Sequence, residues 1–232
     1  MPGYYLHFAA CGGDLLKNRS FVCGVEAPDI LKKHLRMCRG DSQKARAMYD
    51  ALRTGDMPDY SELEARVSQT EKYGSTDGLH YGKSSCTNVR AFWNGLSEIQ
   101  KNTSFYKGYA WHLLTDAIMY GRLDIDARFR KVLMQKNVIK DNYEYARAHE
   151  VEVLHTDWDK TNSLVRATYP EVHLTDEVEA LGVVGFIDGG NLTYVDWPLL
   201  KETIDYLRTF DPLNDDMNVI IETVLGNICV GR

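Results

Sequence analysis

The chain is short of the features that would assign it quickly. No run of about 18 apolar residues occurs, so no membrane-spanning helix is expected. The first residues lack a basic segment followed by an apolar run, so a signal peptide is not expected either. The five cysteines, Cys11, Cys23, Cys38, Cys86 and Cys229, are scattered and form no CxxC pair. That excludes a paired-cysteine zinc site and a regular disulfide framework, and it fits reduced thiols in the cytoplasm. Positive charge is in deficit: the formal net charge is −6, which argues against a duplex nucleic-acid surface. There is no P-loop, no Gly-x-Ser-x-Gly elbow, no internal repeat and no low-complexity tract. With 232 residues and no evident linker, the expectation is one domain spanning residues 1–232.

What is present centres on residues 105–120, a stretch apolar nearly all round. Ala110, Trp111, Leu113, Leu114, Ala117, Ile118 and Met119 leave no polar face, which predicts a helix in the middle of the fold. This stretch nevertheless carries His112 and, four residues later, Asp116. Residues at i and i+4 share a helix face. A carboxylate in an apolar interior is expensive unless it is paired or coordinated. A metal site would account for the pair, and so would a core histidine hydrogen-bonded to a carboxylate.

Taken in order, the chain first offers His7, ahead of a weakening Gly12-Gly13. Gly24 and Pro28 read as an entry turn, with Asp29 in the first turn of a following helix as a cap or a ligand. Helices are predicted over 41–54, 60–72 and 87–100. His80 falls in the turn-rich segment 73–85, where no apolar stripe explains it. Further helices are predicted over 124–135 and 139–167, and the second contains a repeat of the central spacing, His155 and Asp159. His173 and Glu177 share that spacing but lie beside a helix cap at Thr175, which makes them structural. Residues 186–198 form an irregular segment or a small hairpin, followed by helices over 198–209 and 215–225. The fold class is therefore all-α, a single-domain multi-helix bundle.

His7, Asp29, His80, His112, Asp116, His155 and Asp159 are all nitrogen or carboxylate donors of the kind borderline metals accept. Their order, with FVCGVEAPDI around Asp29, GYAWHLLTD around His112 and LHTDWDKTN around His155, resembles the zinc-dependent phospholipase C and single-strand nuclease superfamily, in particular its small bacterial members. The resemblance covers roughly residues 3–165. It implies an all-α fold and zinc ions that cleave phosphoester bonds. It also implies that Asp29, His80, His112 and Asp116 hold one ion, that His7 helps to hold a second with Asp116 bridging, and that His155 and Asp159 contribute to a third. A role in the attack on phosphorus falls to Asp29 by the same likeness. The chain departs from the family in two places. It begins Met-Pro-Gly where secreted members present an N-terminal tryptophan, and the region after Asp116 has Tyr120 and Arg122 but no histidine. These departures point to two ions rather than three. Arg122 is left either to a phosphate oxygen or to a salt bridge.

The expected activity is hydrolysis of a phosphodiester or phosphomonoester, a small molecule or a phospholipid headgroup, by a metal-activated water. A helical scaffold that keeps the fold and only part of the metal site is the alternative. A di-iron carboxylate protein fits less well, since such sites use Glu-x-x-His pairs.

Overall fold

The computed structural model describes residues 4–37, 43, 46–47, 49–50, 53, 57–62, 80–81, 88–135, 143–180 and 184–229. These form an all-α arrangement, with no strand among the described residues. The first helix, α1 (Tyr4–Ala9), is followed by a 3₁₀ turn (Leu15–Lys17) and the long α2 (Arg19–Met37). Then come α3 (Val89–Asn94), α4 (Glu98–Lys101), α5 (Ser104–Leu123), α6 (Ile125–Gln135), α7 (Tyr143–Thr168), α8 (Asp176–Ala180), α9 (Trp197–Leu207) and α10 (Met217–Cys229). The predicted helices at 41–54 and 60–72 and the segment 73–85 lie largely outside the described residues. Those described within the first two are mostly helical. No helix among the described residues is long and apolar enough to cross a membrane.

Helix ends follow local chemistry. The Asn88 side chain accepts from Ala91 N at the start of α3. Ser97 and Gln100 form a reciprocal capping box at α4. That box is why the stretch predicted as one helix over 87–100 is two: the chain stops at Gly95 and restarts at Ser97. Thr103 caps α5, and α5 ends at Asp124 in the left-handed conformation (φ 47°), which turns the chain directly into α6. Asp196 accepts from Leu199 N at 3.2 Å, with Pro198 in the first turn of α9, where a missing N–H does no harm.

α5 is the centre. Its residues from Phe105 to Leu123 are buried almost all round, and α2, α3, α9 and α10 pack around it. The tightest contact is with α2. A Cβ on Gly24 would lie 2.0 Å from the Phe105 carbonyl oxygen, and one on Gly108 would lie 2.1 Å from that of Phe21. The two glycines let the helix backbones touch. The expected turn at Gly24 and Pro28 is therefore wrong: α2 runs unbroken through both. Gly24 is a close-approach residue rather than a breaker. Pro28 sits inside the helix and removes only the N–H that would have bonded the Gly24 carbonyl.

Residues 184–196 form an irregular strap along α7, not a hairpin. The Asp157 carboxylate takes the backbone N–H groups of Thr193 and Tyr194 at 2.7 and 2.6 Å, the groups a partner strand would have used. Gly189 and Gly190, at φ 76° and 87°, turn the strap. The Tyr194 hydroxyl donates to buried Glu150, and Lys160 Nζ donates to the Asn191 carbonyl at 2.8 Å.

Candidate metal centre

The site grows from the contact between α2 and α5. On α5, His112 and Asp116 lie one turn apart on the face turned to α2. On α2, Val25 and Asp29 have the same spacing. His112 Nδ1 donates to the Val25 carbonyl oxygen at 2.7 Å. A carbonyl only accepts, so the proton is on Nδ1 and Nε2 presents a bare lone pair. Such a backbone partner fixes ring orientation and tautomer, as a metal-ligating histidine requires. The Gly24–Gly108 contact lies one residue before Val25 and one turn before His112. The glycines therefore set the separation at which Asp29, His112 and Asp116 meet.

Two further segments close on this face. His80 brings its Nε2 to 3.2 Å from His112 Nε2 and 3.4 Å from Asp29 Oδ1. The next residue, Tyr81, has φ 52°. Asp116 Oδ2 lies 3.8 Å from the Nε2 atoms of both His80 and His112. α1 supplies His7, whose ring stacks on that of His112 at 3.8 Å and places Nε2 3.5 Å from Asp116 Oδ1. Metal–ligand bonds of about 2.0–2.1 Å in a tetrahedron put ligand atoms roughly 3.3 Å apart. The contacts around His80 Nε2, from 3.2 to 3.8 Å, are close to that spacing. Two groups of donor atoms are compact enough to hold an ion: His7, Asp29 and His112, and His80, His112 and Asp116.

All five residues are 0–3 % exposed. Burial lowers the His7 pKa to about 4, with the neighbouring His80 acting in the same direction. Burial, with His7 beside it, also takes His112 well below its ordinary value. Both imidazoles are neutral near pH 7 and can donate lone pairs. Burial alone would raise the Asp29 carboxyl. Hydrogen bonding from His80 outweighs it and holds the group far below the usual carboxylate range. Neither ring nitrogen of His7 has a hydrogen-bond partner among the described residues. Buried polar atoms are nearly always satisfied, so a cation on this side fits the donor set present.

The other anticipated ligands lie elsewhere. His155 is exposed on α7, and the half-buried Asp159 has its carboxylate against Gly185, where a Cβ would stand 2.5 Å away. Neither belongs to the donor groups, so the geometry brings together five of the seven residues, and among the described residues no third cluster forms around these two. The buried acid of that segment is Asp157, which holds the strap. Its signal was present in LHTDWDKTN, but spacing alone does not say which face of a largely polar helix turns inward. Arg122 bonds Glu202 at 2.7 Å and Thr203 at 3.3 Å, the salt-bridge option. His173 is exposed, and Thr175 accepts from Val178 N at 3.4 Å as a cap. Tyr81, Trp111, Thr115 and Trp158, each next in sequence to an anticipated ligand, carry polar side-chain atoms that could orient one. The group that orients His112 is instead the Val25 backbone carbonyl, which no side-chain pattern announces.

Comparison of the chain with protein families, curated proteins and solved structures returns no match.

Proposed function

We propose that this protein is a metal-dependent phosphoesterase with a two-ion centre, zinc being the ion the donor set suits best. The observation behind the reading is the convergence of three imidazoles and two carboxylates, all buried, from four separate segments. In this reading Asp29, His80, His112 and Asp116 surround the first position. His7 and the second oxygen of Asp116 face the other. When bound, paired cations supply Lewis-acid activation of a phosphoryl oxygen and lower the pKa of a coordinated water toward about 7. The residues supply the rest. His112, with its proton held on Nδ1 by Val25, offers one fixed lone pair. Neutral His7 needs no deprotonation near pH 7. Asp29 is an anion in that range, and the resemblance gives it, as a ligand of the first ion, a part in the attack on phosphorus.

Metal content after purification without chelator, followed by hydrolysis of bis-(p-nitrophenyl) phosphate, tests this reading. Less than one zinc, manganese or iron per chain would count heavily against it. Turnover that disappears in the His112→Ala variant would support it.

One observation favours a second reading: ligands exposed by 0–3 % leave little room around an ion for substrate. The cluster would then hold a structural ion in a non-catalytic helical protein. Bound metal without turnover of bis-(p-nitrophenyl) phosphate, short single-stranded DNA or phosphatidylcholine would select it.

A further inference from the structure

α6 concentrates positive charge in a chain that is short of it. Residues 125–140 contain Arg128, Arg130, Lys131, Lys136 and Lys140 against one acid, Asp126, while the whole chain is net −6. The inner face of α6 is fixed. Ile125 is buried, the Phe129 ring packs against that of Tyr194 at 5.6 Å, and Arg128 donates to the Tyr194 carbonyl at 3.4 Å. Ala127, Arg130, Lys131 and Met134, spaced i, i+3, i+4 and i+7, then form one outward stripe. Arg130 and Lys131 are exposed, and Met134 is 80 % exposed. The four line an open hollow of about 540 Å³ whose walls are mostly apolar. A lone exposed methionine is ordinary on a protein surface. One placed a turn beyond two cations, on the same face, is the pattern of a helix that lies on lipid.

We propose that this outward stripe of α6 is a docking surface for an anionic lipid bilayer. Met134 enters between the headgroups. Arg130 and Lys131 lay their stems along the apolar layer and keep their charged ends among the lipid phosphates. The rest of the chain is acidic, so an anionic membrane attracts this face and repels the others. The molecule is thereby oriented as well as bound. A nucleic acid would account for the cations but not for the methionine. It would also favour an outward ring to stack on, and Phe129, the one aromatic residue of α6, packs against Tyr194. No donor of the metal cluster lies on α6, so the docking stands whether or not an ion is bound.

The test is co-sedimentation of the full chain with vesicles at physiological ionic strength. One set is phosphatidylcholine alone, the other phosphatidylcholine and phosphatidylserine in a two-to-one ratio. Binding to the anionic set is expected to be about tenfold tighter or more. A basic side chain near an anionic surface strengthens binding by about a factor of five. Arg130→Gln combined with Lys131→Gln should therefore weaken binding by about thirtyfold, and Met134→Ser by about fivefold or more. All three positions are exposed, so both variants should keep the helical circular dichroism of the parent chain. Equal binding to the two vesicle sets, or undiminished binding in the double variant, overturns the proposal. Binding unchanged by Met134→Ser overturns it as well, since the contact would then be with charge and not with a lipid layer. So does tighter binding to short single-stranded DNA than to vesicles, or a dimer that the double variant abolishes, which would assign the stripe to a nucleic acid or to a second copy. Binding should be the same with zinc and with chelator. Loss in chelator would place the lipid contact at the metal centre and overturn its assignment to α6.

Discussion

At the scale of single residues, the division between ligands and bystanders is sharp enough to measure. His7 sits on the second-ion side with no hydrogen-bond partner among the described residues, so His7→Gln should remove one donor and disturb little else. Loss even of a group that only orients a metal ligand lowers metal affinity or activity by about 10–100-fold. We expect His7→Gln, which removes a ligand, to cost at least that much, with the first ion retained. His155→Ala should leave both metal content and turnover within about twofold, because exposed surface substitutions away from special features change little. Comparable losses in the two variants would contradict the five-residue centre. His7 also gives a pH prediction for protein refolded in chelator. Its pKa is 6.5 when the chain is open and about 4 in the fold. Between those values the unfolded chain binds a proton that the folded one refuses, so stability falls as pH falls. The integrated loss from pH 7 to pH 5 is about 2 kcal/mol for this residue, and His112 adds to it in the same direction. Urea midpoints across that interval check the sign; a flat profile would mean His7 is not buried in neutral form.

At the scale of helices, the part of the site that could be read from sequence is the part encoded by helical period. His112 and Asp116 share a face whatever the tertiary fold, and the apolar surroundings say that this face is buried. The same spacing placed His155 and Asp159 together but could not say where they point, since α7 carries polar residues all round. Gly24 and Pro28 were misread because both are usual breakers. The role of Gly24 depends on Gly108, a residue distant in sequence that no local pattern connects to it. The glycine contact can be tested on its own. Gly24→Ala or Gly108→Ala would put a methyl group about 2 Å from a backbone carbonyl oxygen, so α2 and α5 must separate. Overpacking of this kind costs about 1–3 kcal/mol and occasionally more. Because the clash is with backbone, we expect the upper end, measured by thermal or urea unfolding, together with weaker metal retention. A change below about 0.5 kcal/mol would mean the helices are not held in contact there. Asp157→Ala should act differently. It frees the strap amides of Thr193, Tyr194 and Val195 and loosens residues 184–196 while leaving metal content unchanged, because Asp157 faces the strap and belongs to neither donor group.

For the whole molecule, ion and fold are one equilibrium. The first helix, the second, the His80 turn and the fifth helix each contribute a donor to the same cluster. The cluster sits within a hydrophobic core that runs from Tyr5 on α1 to Val224 on α10. Without a cation, two carboxyl groups lie buried beside His7 and His112, which burial keeps neutral, an arrangement that low dielectric penalises. A bound ion removes that penalty in the folded state alone, so it stabilises the fold by linkage. At a free concentration about a thousandfold above its dissociation constant, the gain is about 4 kcal/mol. Because the donors come from all four segments, this gain should not be local. Hydrogen exchange compared between protein refolded with zinc and with chelator should show α1, α2 and α5 losing protection together when the ion is withheld. The strap and α9, which contribute no donor, should lose less. Loss confined to the neighbourhood of His80 would instead mean that the ion only pins one turn onto an already stable core. In that case α2 and α5, joined through their glycines, would be a scaffold that stands without metal.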